Sequence, residues 1–345
     1  MGSLYKYDMK LKQEDLNRAL EEHKRVVEIY KETYSAKATG GKRDWRTYEQ
    51  KLVLRIKTAS RELEPILEEA YSMIEVSKAG RGRPHKVPLT KRVMILLLKD
   101  IFQLSNRRMA NFLAFFTALT GIDLSYKSVE RVYSDELARL VIHNMYAILL
   151  RRKGVEAVDT SGDGTGYALT VTKHYRNERE KELGGKTGRV EAKAKRKPFA
   201  YAFALMDLGT WMYIGYGASM KSEKEAFRRA VAMAKDVGVS VKTARLDKYY
   251  SCKSIITEFD PGTRVYILPK KNATVNGRLA WKQALKSYVD EPFAHLREYF
   301  KRNNSESGFS ADKRLCGWKV WQKREERIGT SLLCKGLWHN IMLLG

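Results

Sequence analysis

The acidic residues Asp159, Asp247 and Glu306 stand where a carboxylate is held firmly and still reached by a substrate. The apolar run 155–159 ends at the first of them, ahead of Thr160, Ser161, Gly162, Asp163 and Gly164. It reads as a strand that delivers its last side chain to a glycine-rich turn. The run 239–247 ends in the same way at Asp247, and Ser251 is placed to cap a following helix. Two strand-end carboxylates suit phosphodiester chemistry with two Mg2+ or Mn2+ ions, because ions about 4 Å apart draw oxygen ligands from several elements. Glu306 would be the third. Tyr299, Arg302, Glu306 and Lys313 lie at offsets of 0, 3, 7 and 14, which at about 100° per residue places them within roughly 60° of one another on a helix. Two cations, a phenol and a carboxylate on one face could complete a metal site and hold phosphates beside it. A ladder of surface ion pairs has the same spacing.

Other chemistries fail on spacing. Asp159, Ser161, Asp163 and Gly164 match the opening positions of a calcium loop, but Thr170 stands where that loop needs a bidentate Glu. No Gly-Lys-Ser/Thr follows the glycine-rich turn, so it is not a P-loop. The three cysteines, Cys252, Cys316 and Cys334, have no paired spacing for a disulfide framework or a four-ligand zinc site.

The elements that must position these residues fall into three stretches. Apolar positions at helical spacing predict helices over 12–34 and 45–76, the second kinked at Pro65. They form either a hairpin or dimerising coil, or a layer packed on the next domain. Arg81 and Arg83 lie in a basic, glycine-punctuated arm suited to a DNA minor groove, or to a plain linker. Helices over 91–104, 106–119 and 125–150, joined by short turns, have the layout of a helix-turn-helix. Tyr126, Lys127, Ser128 and Arg131 then sit at the start of the reading helix; a three-helix bundle without a DNA role is the alternative. Beyond Gly154, strands over 155–159, 199–208, 211–217, 239–247 and 264–269, with a helix over 223–237, predict a mixed α/β sheet with flanking helices. The chain is helical again over 278–302 and 330–344. The expected domains are 1–79, 80–153 and 154–345.

Lys+Arg 65 against Asp+Glu 40 in 345 residues gives a formal charge of +25, which calls for a polyanionic partner, nucleic acid first. Ten Lys or Arg against four Glu between 173 and 198, including Lys195, Arg196 and Lys197, read as a projecting hairpin or loop that tracks phosphates. No apolar stretch approaches the roughly 20 residues of a membrane span. No secretory signal is visible, so a cytoplasmic location is expected.

Asp159, Asp247 and Glu306, together with the Tyr299, Arg302, Glu306 and Lys313 face, resemble the DDE triad and Y-R-E-K signature of prokaryotic insertion-sequence transposases. The resemblance runs from about residue 80 to 340 and takes in Arg314 and Gly317. It implies a ribonuclease H-like domain acting on double-stranded DNA at the terminal inverted repeats of the element and at a target, as a homodimer at synapsis. It implies that Asp159 bridges two metal ions, that Asp247 and Glu306 hold one each, and that Arg302, Lys313, Arg314 and Tyr299 position the DNA. The 59 residues from Asp247 to Glu306 are too few for the β-rich insertion some members carry, which leaves Trp281 as the ring to stack on an unpaired base. A structure-specific nuclease of the same fold and a non-catalytic DNA-binding descendant are the competing readings.

Overall fold

The computed structural model describes residues 11–35, 44–75, 86–170 and 199–344. Seven helices come first: α1 (Gln13–Ser35), α2 (Trp45–Ser72), α3 (Leu89–Ile101), α4 (Asn106–Phe115), the single turn α5 (Thr117–Thr120), α6 (Tyr126–Val132) and α7 (Glu136–Arg152). The helix expected over 125–150 is therefore two. Asp135 accepts hydrogen bonds from the N–H groups of Leu137 and Ala138 and starts α7 afresh. The small core of Ile95, Met109, Leu113 and Val129 is shared by α3, α4 and α6. The connection from Phe116 to Ser125 includes α5, and is longer than the three- or four-residue turn of a compact helix-turn-helix.

The sheet comprises β1 (Ala157–Leu169), β2 (Phe199–Asp207), β3 (Tyr213–Ser219), β4 (Ser240–Leu246), β5 (Arg264–Tyr266) and the short β6 (Lys319–Val320). Their order is β3-β2-β1-β4-β5, with β6 pairing the far end of β1. β2 and β3 are antiparallel to their neighbours, whereas β4, β5 and β6 run parallel to theirs. Helix α8 (Glu223–Asp236) covers one face of the sheet. The single turn α9 (Lys253–Ile256) leads into Glu258 and Phe259, which meet Arg228 and Phe227 of α8. On the other side lie α10 (Leu279–Asp290), α11 (Pro292–Tyr299), α12 (Asn303–Cys316) and α13 (Glu325–Ile341) in chain order. The helix expected over 278–302 breaks before Pro292, which lacks the N–H an uninterrupted helix would use.

The turn expected at residues 160–164 is strand instead. β1 runs on through Gly162, Gly164 and Gly166, hydrogen-bonded to β2 throughout. These glycines share one face, where neighbours crowd the backbone: a Cβ on Gly162 would lie 2.7 Å from the Phe203 ring, and one on Gly164 would lie 2.2 Å from Glu223 Oε1. They mark close packing, the second use of glycine in a strand. The same device seats α8 on β3, where a Cβ on Gly217 would lie 1.9 Å from the Ala226 carbonyl oxygen.

One apolar cluster joins Leu63 and Ile66 of α2, Val93 and Leu96 of α3 and Met145 of α7 to Phe203 and Ile214 of the sheet. Helix α13 is its axis. The Trp338 indole N–H donates to the Leu97 carbonyl at 2.8 Å, and Tyr146 Oη donates to the Leu333 carbonyl at 3.0 Å. Asn340 bonds both the N–H and the carbonyl of Tyr213, at 2.7 and 2.8 Å. No helix among the described residues is long and apolar enough to cross a membrane.

Candidate active site

β1 is longer than its parallel neighbour β4, and the difference opens the site. The last paired position is Gly162 opposite Leu246, so Asp163 and Asp247 follow side by side as the two strands part. Further along, β6 takes up pairing only at Ala168. Between them the edge of β1 is open, and α12 lies across it. Asp163 and Thr165 are on the face toward α12, since side chains alternate and the glycines occupy the other face. Lys313 Nζ of α12 donates to Thr165 Oγ1 at 2.5 Å. Arg302 bridges two carboxylates, lying 3.6 Å from Asp247 Oδ2 and 2.9 Å from Glu306 Oε1.

The structure thus brings Asp247, Arg302, Glu306 and Lys313 together, and joins to them Asp163, which the sequence reading passed over. Burial pushes the Asp163 carboxyl up to about 6; Glu306 and Asp247 add to the rise, while the Gly164 N–H and Arg302 oppose it. Asp159 is not part of this group. It lies four residues back along β1, about 13 Å at 3.3 Å per residue, beside Thr243, whose hydroxyl donates to Asp159 Oδ1 at 2.5 Å. The strand expected to end at Asp159 runs on past it, because the glycines that follow belong to its interior. The signal available was parity: Asp163 shares a face with Asp159 and lies one residue past the final β1–β4 pair.

The Tyr299 to Lys313 face is built from three pieces rather than one helix: the end of α11, a 3₁₀ turn over Phe300–Arg302, and α12. Tyr299 is buried, and its ring lies 5.5 Å from the Arg302 guanidinium, so it supports that side chain. Burial raises the Tyr299 phenol, with Arg302 opposing. Burial likewise lowers the Lys313 ammonium, against the pull of Asp312. Lys313 also stands 4.8 Å from the ring of Trp318, which is 64% exposed.

Asp163, Asp247 and Glu306 offer carboxylate oxygens, the donors that Mg2+ and Mn2+ take. Burial chiefly raises the Asp163 carboxyl, Glu306 and Asp247 add to it, and a cation beside them would lower it. In this arrangement the Arg302 guanidinium supplies the positive charge. Among the described residues no three His, Cys, Asp or Glu side chains are gathered closely enough to enclose an ion.

No protein-family model matches the chain. It is 45% identical over 286 residues, 83% of its own length and 84% of the relative's, to the probable transposase for insertion sequence element ISA1214 of Archaeoglobus fulgidus. The chain belongs to the insertion-sequence transposases.

The remaining predicted contacts of this transposase separate into three groups. On α6, Tyr126, Lys127 and Arg131 are exposed, while Val129 and Val132 face the small core. Ser128 is partly buried, and its N–H is taken by the cap Ser125. Arg107 packs 4.9 Å from the Tyr126 ring, leaving a cationic and aromatic surface. Arg314 is exposed on another flank of α12, beside Tyr48, Leu52 and His339, away from the carboxylates. Trp281 is a correction: only 3% exposed, its indole N–H donates to the Thr274 carbonyl at 2.8 Å, so no base reaches its face. Arg81, Arg83, Lys195, Arg196 and Lys197 lie outside the described residues.

Proposed function

We propose that this transposase cuts and joins DNA with a DDE site made of Asp163, Asp247 and Glu306, on a ribonuclease H-like sheet. The observation that carries the reading is the register of β1 on β4, which sets Asp163 beside Asp247 under the Arg302 and Glu306 face. The order β3-β2-β1-β4-β5, with β2 alone running against the other strands, supports that fold. The exposed start of α6 is proposed to read the terminal repeats from the major groove, with Arg81, Arg83 and the stretch holding Lys195, Arg196 and Lys197 on phosphates. A homodimer would hold two ends together.

The three carboxylates would hold two divalent cations, which when bound supply charge neutralisation at phosphorus and a more acidic attacking hydroxyl. Arg302, released from Asp247 and Glu306, and Lys313 would grip the non-bridging oxygens of the scissile phosphate. In cleavage a water oxygen bonds to phosphorus and the 3′ oxygen leaves with a proton. In joining, that 3′-hydroxyl attacks a target phosphate and the target's own 3′ oxygen leaves. Both are in-line displacements with no net redox change.

The test is cleavage of a terminal-repeat duplex in Mg2+ by four variants. Asp163→Asn, Asp247→Asn and Glu306→Gln are expected to abolish strand cleavage with duplex binding retained, and Asp159→Asn to leave it within a few-fold of the parent. Loss of cleavage in Asp159→Asn with full activity in Asp163→Asn would overturn the assignment.

A further inference from the structure

The three-helix head of α3, α4 and α6 closes its small core with Met109 and Leu113 of α4, and a second apolar stripe of that helix stays outside. Phe112, Phe115, Phe116 and Leu119 follow one another at steps of three, one and three residues. The stripe crosses from α4 into α5 without losing the helical step, since the Phe116 N–H donates to the Phe112 carbonyl at 3.1 Å and the Thr120 N–H to the Phe116 carbonyl at 3.0 Å. Phe115 is 81% exposed, Leu119 83% and Phe112 42%, while Phe116 is partly buried between them. The rings touch: the Phe116 centroid lies 4.7 Å from that of Phe112 and 5.0 Å from that of Phe115. They form one patch rather than scattered side chains.

At about 200 Å2 for a whole ring, the exposed parts of these side chains and of Ala114 and Ala118 come to about 500 Å2, a size at which an apolar patch marks a binding surface. From Met109 to Tyr126 there is no Lys or Arg, in a chain that has 65 of them in 345 residues. The two longer runs without them, 154–172 and 198–220, supply the strands β1, β2 and β3. DNA finds no cation on this face for its phosphates. A second copy is the partner that the composition suits. Two chains of +25 repel each other over most of their surface, and they approach most easily where each lacks basic residues. Around a two-fold axis the same stripe serves both sides, and two such faces bury about 1,000 Å2, the threshold of a specific interface.

We propose that the DNA-free chain pairs with a second copy through the α4–α5 face, so that a closed dimer exists before any element end is bound. This pairing rests on the homodimer reading above and not on the carboxylate assignment. Because α4 shares its core with α6, it sets the distance between the two α6 surfaces. The contact is uncharged while its surroundings repel, so salt strengthens it, opposite in sign to the effect of salt on DNA binding.

The experiment is sedimentation equilibrium of the full chain without DNA. The parent should show a monomer–dimer equilibrium in the micromolar range that tightens as salt is raised from about 0.1 to about 0.5 M. Phe115→Ser with Leu119→Ser should weaken pairing about a hundredfold at an almost unchanged urea midpoint, because neither side chain belongs to the core. Leu54→Ser, which changes an exposed leucine of α2, should pair as the parent does. The inference is overturned if the parent stays monomeric at about 50 μM in about 0.5 M salt, if it grows past two copies, or if the double variant pairs as tightly as the parent. Pairing that begins only when a terminal-repeat duplex is added also overturns it, and leaves the homodimer of the proposed function standing. A chain that stays monomeric even on that duplex removes the homodimer itself, a result separable from these.

Discussion

Replacing Asp163 by Asn should make the protein more stable as it removes cleavage. The carboxyl is raised from 3.8 to about 6, chiefly by burial, and at about 1.4 kcal/mol per pH unit the fold loses up to about 3 kcal/mol by holding it ionised. Solvent at the open edge of β1 screens part of this, so about 1–3 kcal/mol is expected. The folded state favours the protonated form, so the parent protein should be most favoured below about pH 4, lose this stability between about 4 and 6, and stay level above. Asn has no proton to lose. The gain in Asp163→Asn should therefore be absent at pH 4 and complete by pH 7. The assay is urea unfolding in chelator over pH 4 to 8, comparing midpoints at constant slope. A gain independent of pH, or a variant less stable than its parent at pH 7, would refute an ionised, part-buried Asp163. Saturating Mg2+ should cancel the difference, because an ion bound only by the folded parent restores what burial removes.

Three further outcomes follow from the packing. Gly217→Ala should cost about 1–3 kcal/mol or more, read as a lower urea midpoint, because the new methyl meets the Ala226 carbonyl of α8 rather than a movable side chain. The His339 ring is bonded to Asp312 Oδ1 at 2.7 Å and to the Trp211 carbonyl at 2.9 Å, both acceptors, so both ring nitrogens carry protons. Burial, the largest influence, lowers its pKa, but Asp312 and the Trp211 carbonyl outweigh it and the net shift is upward. This contribution should be complete below about pH 6.5 and fade as pH rises through the folded value, a decline that His339→Gln should abolish in unfolding curves. Trp281→Phe should lose about 1–2 kcal/mol with its hydrogen bond to Thr274 while leaving DNA affinity unchanged in a binding titration.

Much of the sheet was legible because its strands are apolar runs between charged turns, and β2, β3, β4 and α8 lie close to their expected places. The basic face of α12 was legible for another reason: helical spacing survives a local 3₁₀ turn, so Arg302 and Glu306 still meet at 2.9 Å. What failed was decided by tertiary contact. Gly162, Gly164 and Gly166 resemble a turn in isolation, and only Phe203, Glu223 and Phe199 pressing on them show that they are strand. Trp281 resembles a ligand for a base until the chain around Thr274 closes over it. The split between α6 and α7 rests on one side chain, Asp135, competing for backbone N–H groups within an otherwise continuous apolar pattern.

Helix α13 fastens α3 and α7 to β3 through Trp338, Tyr146 and Asn340. It leaves the surface of α6 and the carboxylates in one block rather than on two ends of a tether. On the reading proposed here, that block behaves as a caliper. The number of base pairs between the recognised sequence and the cut is a dimension of the protein. Inserting or deleting a pair in that interval would rotate the scissile phosphate around the double helix, away from the site.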